Sequence, residues 1–168
     1  YQEGKKKVTS CCPAFVNMVR LHYPQLADCV STTVSPMCAV SRLIKAQEPD
    51  AITVFIGPCL AKKSEVVDQK IPGNADYVLT YSEIRAIMKA KNVTLQPCEN
   101  EDQIASVYGK RFANSGGVTG AVLQSLKESG HEIDAKVYKA NGAAECKKAL
   151  LLLRAAKLPE DFVEGMIC

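Results

Sequence analysis

The sequence has no tryptophan, two histidines and 6% aromatic residues, and it lacks the patterns that mark several classes of protein. No apolar run approaches the roughly 18 residues of a membrane span, and no secretory signal opens the chain, so we expect a cytoplasmic protein. The basic residues lie in short clusters such as residues 5–7, whereas a nucleic-acid footprint needs a denser stripe. Internal repeats and low-complexity segments are absent as well. These absences exclude the membrane, fibrous and largely disordered classes.

What remains has the size and composition of one globular domain, or of one lobe of a larger one. The chain has 168 residues, of which 47% are hydrophobic and 23% charged, and its formal net charge is +3. Residue 1 is Tyr, and the last residue is Cys168, directly after the apolar run 162–167. We therefore expect residues 1–168 to be part of a longer domain, truncated at both ends.

Apolar runs of strand type alternate with segments of helical periodicity along the chain. The pattern predicts strands at 51–56, 76–80, 135–140 and 162–167, with helices at 14–22, 36–47, 62–68, 82–91, 115–130 and 143–157. The first of these strands, an apolar and β-branched run, is expected to be buried. Ser35 and Ser82 are the predicted caps of the second and fourth helices, and 95–114 is interpreted as a loop. This order predicts an α/β fold, a parallel or mixed sheet with flanking helices. Ligands collect at the carboxyl ends of such strands, where Cys59 and Cys168 lie.

The eight cysteines raise the question of disulfides. A disulfide framework fits poorly, because the chain is long enough to form a core without cross-links and has a lysine-rich, aromatic-poor composition. Four cysteines have no partner at a metal-binding spacing, and we interpret them as small buried hydrophobic residues: Cys29, Cys38, Cys98 and Cys146.

The other four thiols have a more informative setting. Cys11 and Cys12 precede a predicted helix, whose N-terminal N–H groups favour a thiolate. Cys59 directly follows a predicted strand, with Lys62 nearby, and Cys168 ends another strand. Separated thiolates on strand-end loops suit an iron–sulfur cluster, whose ligands tolerate long separations in sequence. Zinc is the alternative, although structural zinc sites usually show local pairs of ligands about two to four residues apart.

Five motifs, in order, resemble those of the iron-only, or [FeFe], hydrogenases. Residues 9–15 (TSCCPAF) are similar to the family's first signature, TSCCPxW, and residues 58–65 (PCLAKKSE) match the second, PCxxKxxE. Residues 164–168 (EGMIC) match the opening of the third, ExMxCxxGC. Between them, residues 31–36 (STTVSP) and 115–118 (SGGV) resemble the family's serine-proline and glycine-glycine-valine helix starts. The resemblance extends over nearly the whole chain, so we expect one lobe of the family's catalytic domain.

The resemblance implies a cofactor, the H-cluster, in which a cysteine sulfur joins a [4Fe–4S] cluster to a diiron centre carrying CO, cyanide and a dithiolate. By motif position, Cys12, Cys59 and Cys168 would be three of the cluster thiolates. The remaining thiolate, which would also be the bridge, should lie four residues past Cys168. We therefore expect a complete H-cluster only in the intact protein, with this chain apo or incompletely loaded, and inactive on its own.

The resemblance also implies roles around the diiron centre. Cys11 matches the thiol that delivers protons, and Lys62 matches the lysine that pairs with a cyanide ligand. Ser31 and Glu65 fall at positions that relay or organise protons. A buried amine stabilises an anionic ligand, and a thiol titrates close enough to neutrality to exchange protons. The alternatives are an ordinary surface lysine for Lys62, a turn hydroxyl for Ser31 and a solvated carboxylate for Glu65.

Three further positions are expected to contact the cofactor: Met37, Gly57 and Met166. Two of them depart from the family pattern, since Gly57 replaces a common methionine and Met37 a common glutamine; Phe15 likewise stands where tryptophan is usual. The implied activity is reversible H2 oxidation and proton reduction in anaerobic metabolism, with a carrier such as ferredoxin and with maturation proteins as partners. The alternatives are a hydrogenase-like H2 sensor and an iron–sulfur assembly protein without the diiron centre.

Overall fold

The chain folds into two compact units of α/β type. A computed structural model describes residues 7–97, 106–131 and 134–168. One unit, here called the terminal unit, comprises Tyr1–Thr32 and Gln103–Cys168, and the middle unit comprises Thr33–Asp102. Every strand pairing in both units is parallel. The predicted α/β class with parallel strands and flanking helices is thus confirmed.

The elements follow one another in alternating order. They are β1 (Lys7–Val8), α1 (Pro13–His22), a 3-10 helix (Pro24–Cys29), α2 (Pro36–Gln47), β2 (Val54–Gly57), α3 (Ala61–Val66), β3 (Tyr77–Thr80), α4 (Tyr81–Ala90), α5 (Val107–Arg111), α6 (Gly117–Glu128), β4 (Val137–Asn141), α7 (Gly142–Arg154) and β5 (Phe162–Met166). In the part of the chain that the structure describes, no helix combines the length and the apolar character that crossing a membrane requires.

The terminal unit is built around β5, the central strand of the order β1-β5-β4. Val163 of β5 lies opposite Val8 on one side and Tyr138 on the other. The core beside this sheet includes Phe15 of α1 and Leu150 of α7, both fully buried. The central strand therefore connects α1 and α7 to a single hydrophobic core.

The middle unit has a two-stranded sheet, β2 and β3, and a smaller core. Met37, Ala75 and Val78 form its buried cluster, against which Phe55 packs. The strand predicted at 51–56 was expected to be buried, but Val54 and Ile56 are 48% and 47% exposed. That expectation is wrong for this face, because alternate residues of a strand point to opposite faces and only one face of β2 is covered.

Two local predictions also need correction. Helix α4 begins at Tyr81 and is capped by Thr80, not by Ser82. The Thr80 side chain accepts from the Glu83 N–H at 3.3 Å, and the Glu83 carboxylate accepts from the Thr80 N–H at 2.7 Å, a reciprocal capping box. The region expected to be a loop contains α5, which Ser106 caps by accepting from the Gly109 N–H. The prediction for Cys98 lies outside the described residues.

Candidate functional site

Three candidate ligand thiols follow the carboxyl ends of parallel strands. Cys12 comes shortly after β1 and Cys168 shortly after β5, both in the terminal unit, whereas Cys59 comes shortly after β2 in the middle unit. Loops at the carboxyl ends of parallel strands are where such sheets bind ligands. The placement predicted for Cys59 and Cys168 is therefore confirmed.

Cys11 and Cys12 lie at the start of α1. Cys12 is the N-cap residue, with extended backbone (φ −96°, ψ 104°), and its carbonyl accepts from the Val16 N–H at 3.0 Å. Pro13 occupies the first helical turn, where its missing N–H costs no hydrogen bond. Cys12 is buried, and Cys11 is half-buried.

Thr9 fixes this cysteine turn to the central strand. Its N–H donates to the Val163 carbonyl at 2.9 Å, and its hydroxyl accepts from the Gly165 N–H at 3.1 Å. The segment that leads to Cys12 and the strand that leads to Cys168 are thereby held in one register. Sequence reasoning had assigned Thr9 no role, although its place in the TSCC motif was a signal.

Glu164 is a second residue that sequence reasoning missed. It is 2% exposed, and its carboxylate accepts from the N–H groups of Gly116 (2.9 Å) and Thr119 (3.0 Å), as well as from the Thr119 hydroxyl. A carboxylate at a helix N-terminus satisfies N–H groups that have no partner within the helix. Glu164 thus joins β5 to α6 shortly before Cys168.

The middle unit contains a buried polar network beside the Cys59 loop. The Lys62 ammonium donates to Glu65 Oε2 at 2.6 Å, and the Ser35 hydroxyl donates to Glu65 Oε1. Lys62 and Glu65 are only 8% and 6% exposed. The alternatives of a surface lysine and a solvated carboxylate are therefore excluded. Ser35 also caps α2, as predicted, by accepting from the Cys38 N–H.

The remaining candidates occupy varied positions. Met37 is buried in the middle unit's core cluster. Gly57 ends β2, and a Cβ added there would lie 2.7 Å from the Phe55 ring. Ser31 donates its N–H to the Val8 carbonyl and lines a cavity of about 290 Å³ beside α6. Met166 ends β5 and pairs with Asn141 of β4.

The seven described cysteines are thiols. Of those predicted to be buried hydrophobic residues, Cys38 and Cys146 are fully buried, whereas Cys29 is only half-buried. Burial raises the pKa of Cys146 to about 11. Within either unit, no described group of three or more His, Cys, Asp or Glu side chains is arranged to hold a metal ion. Cys12, Cys59 and Cys168 are thiols, the donor type that iron–sulfur clusters use, and Lys62 is a buried cation, the type of group that suits an anionic ligand.

Comparison with known proteins gives one consistent family. The family model described as "Iron only hydrogenase large subunit, C-terminal domain" matches residues 1–168. The chain is 29% identical to the NADP-reducing hydrogenase subunit HndD of Solidesulfovibrio fructosivorans over 139 residues, which are 75% of this chain and 24% of that protein. It is 28% identical to the periplasmic [Fe] hydrogenase large subunit of Nitratidesulfovibrio vulgaris, with 95% of this chain and 48% of that protein covered.

Among solved structures, an apo [FeFe]-hydrogenase HydA1 from Chlamydomonas reinhardtii has a similar fold. The TM-score is 0.69 at 22% identity, and the match covers 99% of this chain and 60% of the other. The chain thus spans between about a quarter and about three fifths of these proteins.

Proposed function

This chain belongs to the family of the iron-only hydrogenase large subunit, C-terminal domain, and on that premise we propose that the whole protein catalyses the reversible interconversion of H2 with protons and electrons. The observation that carries the proposal is the pair Cys11 and Cys12 at the start of α1. One thiol of such a pair can bind a cluster while its neighbour exchanges a proton.

The cofactor of the proposal is an H-cluster, a [4Fe–4S] cluster joined to a diiron centre with CO and cyanide ligands. Cys12, Cys59 and Cys168 are the proposed thiolates of its [4Fe–4S] part. When bound, this group supplies the cleavage and formation of H2 and the exchange of electrons. The motifs and the strand-end positions of the three cysteines support this assignment.

The proposed task of the protein is to bind, orient and deliver protons. Cys11 holds the exchanging proton on its Sγ, and Ser31 and Glu65 organise the polar groups that accompany it. Lys62 supplies a buried positive charge for an anionic ligand. Met37, Gly57 and Met166 are the proposed contacts that shape the cofactor pocket.

Partners and location belong to the same proposal. An electron carrier such as ferredoxin exchanges electrons with the cluster, and maturation proteins install the diiron centre. We place the protein in the cytoplasm, the location favoured by the sequence. One relative is named as a periplasmic enzyme. Secretion of the whole protein would contradict the proposed location and leave the proposed activity unaffected.

An infrared spectrum of the whole protein, produced anaerobically with the maturation proteins, tests the function. We expect bands in the CO and cyanide stretching regions, together with H2 turnover. Cys11→Ser should keep the bands and lose turnover by about 10²-fold or more, because the proton donor is gone. Cys29→Ser is the matched control and should keep both, since Cys29 packs against the hydrophobic core. Bound iron and sulfide without the bands would leave an iron–sulfur assembly protein instead.

A regulatory H2 sensor is the second candidate, and Gly57 favours it. The Phe55 ring occupies the space that a side chain at position 57 would need, so this chain cannot present the family's usual methionine there without displacing the ring. Met37 in place of glutamine points the same way. Bands without turnover in the unmodified protein would select the sensor over the enzyme.

A further inference from the structure

The buried network around Glu65 joins three parts of the middle unit. Glu65 lies on α3, its Oε1 accepts from Ser35 at the start of α2, and its Oε2 accepts from Lys62 one helical turn earlier. Its backbone carbonyl accepts from the Asn74 side chain at 3.3 Å. Both carboxylate oxygens of Glu65 are thus hydrogen-bonded, and its backbone carbonyl is hydrogen-bonded as well.

This arrangement suits a carboxylate that holds its hydrogen-bond partners in place better than one that relays protons. A carboxylate that relays protons has to release one partner in each cycle. Here release would break a charge-assisted hydrogen bond of a buried ammonium or a hydrogen bond of a buried hydroxyl, and either loss is costly in the interior. An ammonium has three N–H donors, so Lys62 can bind Glu65 and an anionic ligand at the same time.

We propose that Glu65 is a positioning residue, which acts through Lys62 and does not itself carry protons. The carboxylate, anchored by Ser35, sets the direction of the Lys62 ammonium next to the Cys59 loop. The backbone supports the same geometry, because the Lys62 N–H donates to the Cys59 carbonyl at 3.3 Å. The inference rests on the proposed function in one respect, namely that Lys62 faces an anionic ligand of the cofactor.

Amine labelling of this chain without cofactor tests the positioning itself. The chain is treated with an N-hydroxysuccinimide ester of acetic acid, and acetylation of each lysine is followed by peptide mass spectrometry. Glu65→Gln should speed the labelling of Lys62 about tenfold or more, the effect of losing a hydrogen bond to a charged group. Ser35→Ala should speed the labelling of Lys62 less. In Glu65→Asp, which keeps the negative charge, Lys62 should be labelled more slowly than in Glu65→Gln.

Two other lysines of the middle unit are internal controls. Lys45 pairs with Asp76 and Lys63 pairs with Glu83, at 2.7 and 2.6 Å. Their labelling should stay the same in all three variants. Unchanged labelling of Lys62 in Glu65→Gln would overturn the inference, and so would equal acceleration of all three lysines, which would mean that Glu65 only maintains the fold.

A spectroscopic measurement on the whole, loaded protein separates this inference from the proposed function. Glu65→Gln should shift the cyanide stretching bands, whereas Lys63→Gln should leave them in place. If the unmodified protein shows no such bands, the proposed function fails while the labelling result still decides whether Glu65 positions Lys62. If the bands are present and Glu65→Gln leaves them unchanged, the positioning role is refuted and the proposed function stands.

Discussion

At the scale of single residues, Gly165 shows how an absent Cβ permits the packing beside the cysteine turn. A Cβ added at Gly165 would lie 2.5 Å from the ring of Phe15, which is fully buried. Phe15 comes shortly after Cys12 on α1, and Gly165 comes shortly before Cys168. Close contact between these two residues therefore holds the chain just after Cys12 and the chain just before Cys168 against one core.

Gly165→Ala should consequently lower the free energy of unfolding by about 1–3 kcal/mol, the usual cost of overpacking a core. Gly120→Ala is the matched control, because a Cβ there meets nothing within 4 Å and the position is inside α6. Alanine should stabilise that helix position by up to about 1 kcal/mol. Urea unfolding followed by circular dichroism measures both, and equal effects of the two substitutions would refute the explanation.

The sequence pattern identified some residues of the candidate site and missed the hydrogen bonds of others, for a physical reason. Cys11, Cys12, Cys59 and Lys62 were candidates because thiols and amines beside strand ends and helix starts indicate chemistry locally. The Ser35–Glu65 hydrogen bond and the Thr9–Gly165 hydrogen bond join residues 30 and 156 positions apart, so no local pattern could reveal them.

At the scale of elements, the start of α4 depends on one half-buried carboxylate, that of Glu83. Glu83 accepts from the Lys63 ammonium at 2.6 Å and from the N–H and hydroxyl of Thr80. The hydrogen bond from Lys63, followed by those from Thr80, lowers the pKa of Glu83 from 4.5 to about 2. A carboxyl whose pKa is lower in the folded state stabilises the fold above its unfolded pKa, and this stabilisation is lost as pH falls from about 4.5 to about 2.

Glu83→Gln should therefore flatten the acid-side loss of stability. Glutamine does not titrate and can still serve in a capping box. The substitution therefore keeps the start of the helix and removes the pH-dependent contribution of residue 83 to stability. Urea midpoints measured between pH 2 and pH 5 should fall less steeply for the variant than for the unmodified chain. Parallel curves would contradict the assignment.

Asp76→Asn provides a second case, since hydrogen bonds from Lys45 and Thr53 lower the pKa of Asp76 to about 2.

Element types were easier to predict than element boundaries. The alternation of apolar runs and helical periodicity indicated β2 to β5 and most of the helices, because periodicity is set by local burial. The starts of α4 and α5 were wrong or missed, because Thr80 and Ser106 are recognisable as caps only when their hydrogen bonds are seen. The division into two units depends on contacts between segments distant in sequence, such as the pairing of β1 with β5.

At the scale of the whole chain, the structure divides the thiols into accessible and inaccessible ones. Cys168 is exposed, whereas Cys38 and Cys146 are fully buried in separate units. Because burial raises the pKa of Cys146 from 9.0 to about 11, its thiolate fraction at pH 8 falls about 100-fold. Two effects therefore slow the reaction of Cys146 with reagents that attack thiolates: the thiol is inaccessible, and it is protonated.

Iodoacetamide treatment of the native chain at pH 8, read by peptide mass spectrometry, should modify Cys168 first and leave Cys38 and Cys146 last. In denaturant all eight cysteines should react at similar rates, which is the control for intrinsic reactivity. Native modification of Cys146 as fast as that of Cys168 would refute its place in the core.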